Sequence, residues 1–134
     1  MGKVNQPKLE VGYGTARKDD SFTAGKSAAS QAFSMIHANP VVAVMVFVSV
    51  HFDLKEVLRG IRNIVPVAPL FGCTTACEIC NEPLNESVVV TVLASSYLKV
   101  SCGVGRDVSK DWQVALVDAV NAPGIHPYFH DGYF

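Results

Sequence analysis

Val41 to Val50 reads VVAVMVFVSV, ten consecutive residues of which six are valine and only Ser49 is polar. A β-branched run this continuous suits a central strand covered on both faces, because a half-exposed strand would alternate polar and apolar residues. A membrane-spanning helix needs about twenty apolar residues. The run is therefore read as a core element rather than an anchor, and the rest of the fold is built outward from it.

Upstream, Asn39-Pro40 closes a stretch from Ser21 in which Phe22, Ala28, Ala29, Ala32, Phe33 and Ile36 recur at helical spacing, with Asp20 or Ser21 as N-cap. The alanine-rich face would let this helix lie close against a sheet. Before it, Leu9 to Tyr13 reads as a short strand, punctuated by Gly12 and Gly14 and followed by a polar loop through Arg17 and Asp20. Downstream, Asp53 and Glu56 resemble a capping box, and Leu54, Val57, Leu58, Ile61 and Ile64 mark one helix face whose exit is bracketed by Pro66 and Pro69. A strand at Val67 to Phe71 leads into Gly72 and a polar, cysteine-rich turn, CTTACEIC. Ser87 to Ala94 and Lys99 to Val104, separated by four residues, read as an antiparallel hairpin, and a last helix spans Lys110 to Val120. The tail after Pro123 reads as irregular.

This order predicts an α/β fold, with α+β as the alternative: a mixed sheet of about five strands with three helices packed on it. Residues 1–134 form one domain, without repeat or linker. Right-handed crossovers would set the first three strands parallel. Ligands then bind beyond the carboxyl ends of the strands, where the loops 12–20, 49–53 and 72–80 would converge.

Composition narrows the function. Half of the residues are hydrophobic (49%), 17% are charged, and the net charge is −1. That is a well-cored globular protein without the basic stripe that nucleic acid or an anionic membrane requires. The N-terminus, MGKVNQPKLE, shows no secretory signal, so a cytoplasmic location is expected, where Cys73, Cys77, Cys80 and Cys102 stay reduced.

Four chemistries compete around Gly72. Cys73-x3-Cys77-x2-Cys80 has the spacing of radical enzymes that hold an iron–sulfur cluster, but those place it after the first strand of a long barrel. A zinc site could add Cys102, His126 or His130, although paired C-x2-C knuckles are missing and Pro127 separates the histidines. If Thr74 began a helical turn, its N–H groups would activate Cys73 as a nucleophile, with His51 as a conceivable base. No convincing catalytic constellation emerges, so no enzyme activity and no cofactor are expected. The glycine pairs Gly12-Gly14 and Gly103-Gly105 fail the dinucleotide fingerprint, since Arg17 stands where a third glycine belongs. The hydroxyls of Thr74 and Thr75, turn N–H groups and the Glu78 carboxylate could instead hold a small polar ligand.

Taken together, VGYG, then D-x-x-x-A-G-K-x-A-A from Asp20, VMVFVSVHFD and PLFGCTTACEI followed by GVG resemble the FIST N-terminal domain from about Val11 to Asp111. The most specific piece is Pro69 to Ile79, similar to the family's G-C-[ST]-T-A-G-E-I signature. The resemblance implies a sensory, small-ligand-binding module of signal-transduction and F-box proteins, with amino acids or their derivatives as ligands. It implies a ligand site at Gly72, Cys73, Thr74, Thr75 and Glu78, and as partner a C-terminal FIST region or, without it, self-association. One departure stands out: Cys77 occupies the signature's glycine position, so either φ there is not positive or the turn is strained.

Overall fold

The computed structural model describes residues 9–17, 20–80 and 82–122; within residues 79–83 it describes the strands but not the side chains. The chain forms two compact units, Met1–Lys99 and Val100–Phe134.

The first unit holds β1 (Leu9–Arg17), α1 (Ser21–Ser34), β2 (Val41–Ser49), α2 (Leu54–Ile64), β3 (Leu70–Thr75), β4 (Glu78–Cys80), β5 (Glu82–Leu84) and β6 (Ser87–Ser95). Its mixed four-stranded sheet has the order β1-β6-β2-β3. The fold is α/β. β6 runs antiparallel to both β1 and β2, and β2 pairs in parallel with β3. The first three strands thus run in one direction as expected, but β6 is inserted between β1 and β2. β4 and β5 form a separate two-stranded ribbon.

Both helices of this unit pack on one sheet face. Val44, Val46 and Val48 of β2 and Val88, Val90 and Val92 of β6 share a core with Ala24, Ala28, Ala29 and Ala32 of α1 and Val57 and Ile61 of α2. The alanine face does what its small residues allow. A Cβ on Gly12 or Gly14 would lie about 2 Å from the carbonyl oxygen of Ala32 or Ala28, so these glycines let α1 sit on β1. They are interior to a nine-residue strand, not the turn expected after Tyr13. On the other face, Ala43 and Ser49 are buried, Met45 is half-buried and Phe47 is 37% exposed. β2 is therefore covered fully on the helix face and only in part on the other, where the expectation had both covered.

The caps are local and specific. Asp20 caps α1 by accepting from the Thr23 N–H at 3.0 Å. Asp53 caps α2 through the N–H groups of Lys55 and Glu56. Its own N–H donates to Ser21 Oγ at 2.9 Å, the bond a capping box would give to Glu56. Glu56 instead pairs with Arg59. The helix starts are thereby tied to each other.

Two strand boundaries differ from expectation. β3 begins at Leu70 rather than Val67, because Arg62 Nη1 donates to the carbonyl of Ala68 at 2.6 Å and holds the preceding loop outside the ladder. The region Lys99 to Val104 is not a strand, so the hairpin with Ser87 to Ala94 does not form. Both edges of β6 are already taken, by β1 and β2. The N–H groups of Tyr97 and Leu98 go to Ser95 Oγ instead.

In the second unit, Asp111 caps α3 (Trp112–Val120) through the N–H groups of Gln113 and Val114. Gly105 lies under Ala115, the one buried side chain of that helix. Pro123 and the tail after it lie outside the described residues. Among the described residues no helix is long and apolar enough to cross a membrane.

Candidate functional site

The five expected site residues fall into two groups. β3 is a terminal strand of the sheet, level with β2 so that Gly72, Cys73, Thr74 and Thr75 lie beside Val46, Phe47, Val48 and Ser49. Side chains alternate along a strand. Leu70, Gly72 and Thr74 therefore share the helix side with Val44, Val46 and Val48, while Phe71, Cys73 and Thr75 share the other side.

Gly72, Cys73 and Thr74, all exposed, line a groove of about 220 Å³ with Val46, Leu54, Leu58, Leu70 and Phe71. Its walls are mostly apolar, contributed by α2 and β3. Gly72 is required by packing: a Cβ there would fall 1.7 Å from the carbonyl oxygen of Val46. The glycine thus sets the close approach of β3 to β2, and no positive φ is involved.

Thr75 and Glu78 form the second group and do not line the groove. Glu78 is 2% exposed, and each carboxylate oxygen accepts one hydroxyl: Oε1 from Thr75 and Oε2 from Ser87 at 2.6 Å. A buried carboxylate is tolerated only when its oxygens are satisfied in this way. The trio bridges the end of β3, the start of β4 and the start of β6. Glu78 is a fastener between strands, not a group displayed to a ligand. Ser87 was missed by the sequence reading; a serine opening a strand carries no signal of its own.

Residues 72–80 are not one turn. β3 runs through Thr75, only Ala76 and Cys77 form the bend, and β4 begins at Glu78. Thr74 therefore begins no helical turn, and the N–H activation expected for Cys73 is overturned. His51 does not face Cys73: the register sets Cys73 level with Phe47, four residues short of His51. Of the loop expected at 12–20, residues up to Arg17 are strand, and Asp20 opens α1, whose Ser21 Oγ accepts from the Asp53 N–H at the end of the 49–53 loop. The two non-glycine residues with positive φ among those described are Glu86 and Asp107. Cys77 thus accepts the signature's glycine position without that strain.

Cys73, Cys77 and Cys102 are free and exposed. The Cys80 side chain, and His126 and His130, lie outside the described residues. Among the described residues no three His, Cys, Asp or Glu side chains gather as a metal-ligand set.

A family model described as the FIST N domain matches residues 42–132, more than half of the chain. The chain belongs to the FIST N domain family. FIST domains are sensory modules of signal transduction, and the groove and the Glu78 fastener both lie inside the matched region. The matched region begins after β1 and α1. No curated protein sequence matches the chain. Among solved structures, this FIST domain is similar to the FtsZ W319Y mutant, P1, of M. jannaschii, at 18% identity and a TM-score of 0.44. That alignment covers 66% of this chain and 27% of the other.

Proposed function

We propose that this FIST domain binds a small metabolite of the amino-acid class in the groove between α2 and β3, and signals its presence without turning it over. The observation that carries the reading is the groove itself, with Thr74 and the β3 backbone at an otherwise apolar wall. Its volume of about 220 Å³ is below the 300–1,000 Å³ of drug-sized sites, which suits a small ligand. The polar head would meet the Thr74 hydroxyl and outward backbone groups of β3. The apolar part would lie against Leu54, Leu58 and Leu70. Gly72 and Cys73 complete the wall, and Thr75 and Glu78 hold it in place from behind.

The test is a thermal-shift and calorimetric screen of amino acids and their derivatives against the full chain. The reading expects one class to bind, and expects Thr74→Val to abolish that binding with little change in melting temperature. A screen with no binder, or a binder indifferent to Thr74→Val and Leu58→Ala, would remove it.

A further inference from the structure

The four-stranded sheet ends in two very different strands. β1 carries the charged residues Glu10 and Arg17, whereas β3, LFGCTT, carries no charge, no proline and no bulge. Charge, proline and bulges are the usual devices that stop an edge from pairing with another chain. β3 has none of them.

Its backbone is correspondingly open. The carbonyls of Pro69 and Thr75 accept from the N–H groups of Val44 and Val50 of β2 and its end. The parallel register is continuous between them, so the odd-numbered residues turn toward β2. The N–H and C=O groups of Leu70, Gly72 and Thr74 point the other way, and among the described residues no strand pairs with that edge. Phe71 to Thr74 are exposed.

We propose that β3 is a self-complementary dimerisation edge, along which two copies of this chain pair antiparallel through Leu70, Gly72 and Thr74 about a two-fold axis at Gly72. Leu70 of each copy then lies opposite Thr74 of the other, and about six backbone hydrogen bonds form. The side chains fit this register. Leu70 opposite Thr74 lies on the helix side and enters the groove lined by Gly72, Thr74, Leu54 and Leu58, so each copy supplies both an apolar knob and its hole. On the other side, Phe71 covers Cys73 of its partner. A neutral strand meets its own copy without like-charge repulsion, and the two-fold closes the assembly at two.

The test is sedimentation of the 134-residue chain over rising concentration, with amide hydrogen exchange at Gly72 and Thr74. A reversible dimer is expected, with the N–H groups of Gly72 and Thr74 protected only at high concentration. Thr74→Pro removes an outward N–H that β2 does not use, a position where an edge strand tolerates proline, and should raise the dissociation constant at least about tenfold. Circular dichroism checks that it folds, and Thr74→Ser, which keeps the backbone, should remain dimeric. The proposal is overturned by a wild-type chain that stays monomeric up to about 1 mM, by assembly beyond two, or by a dimer that Thr74→Pro and Thr74→Lys leave intact.

Discussion

The Ser87 hydroxyl donates to Oε2 of Glu78 at 2.6 Å, joining the first residues of β6 and β4 where both side chains are buried. Thr75 completes the arrangement from the last residue of β3. Three strand ends are thus held by one carboxylate.

Breaking this fastener should act on stability before it acts on binding. Leaving a buried polar group without its partner costs about 1–3 kcal/mol, and Ser87→Ala does this to one oxygen of Glu78. Ser87→Ala and Glu78→Ala should each lower the unfolding free energy in urea by about 2 kcal/mol. A Glu78→Ala protein as stable as wild type would show that the carboxylate is not a structural element.

Gly72→Ala should loosen β3 from β2, since the new Cβ collides with the backbone of Val46 and no flexible side chain can yield. Overpacking of this kind costs about 1–3 kcal/mol. The expected signature is faster hydrogen exchange in β3 than in β6, with the rest of the sheet protected.

Acid should weaken the attachment of the loop before β2. The Glu10 carboxylate accepts from the backbone N–H groups of His37, Ala38 and Asn39 and from the Asn39 side chain. Led by the His37 bond, these interactions hold Glu10 below the usual carboxylate range. A folded value below the unfolded one contributes stability above the unfolded pKa and loses it as pH falls through the folded value. Glu10→Gln should therefore flatten the acid side of the stability curve. Asp20, lowered by its bonds to Thr23, gives a dependence of the same sign.

Thiol labelling separates the two faces of β3. Cys73, Cys77 and Cys102 are all exposed, so a maleimide should modify each in the native protein. The Cys73 side chain stands on the sheet face opposite the groove, so a ligand in the groove should leave labelling at Cys73 and at Cys102 unchanged, as mass spectrometry of the labelled peptides would resolve. Because Phe71 of a second copy would cover Cys73 in the proposed dimer, rising protein concentration should slow labelling at Cys73 and leave Cys102 unchanged.

Local chemistry made much of this protein legible. Asp20 and Asp53 marked helix starts because a capping carboxylate acts on N–H groups two or three residues away. The valine run and the alanine face identified β2 and α1 because burial leaves a periodic trace, and the Pro69 to Ile79 motif carried the family. These are properties of neighbours in sequence. Where β6 inserts, and so why Lys99 to Val104 does not pair with it as a strand, was settled by competition among strands for hydrogen-bonding edges. The division of the site was settled in the same way. Thr74 and Thr75 are adjacent in sequence, yet pairing with β2 turns one to the groove and the other to Glu78. Ser87, nine residues beyond Glu78, reaches that carboxyl group only once β6 is in place, because a buried polar group takes its partners from whatever the folded chain brings within reach.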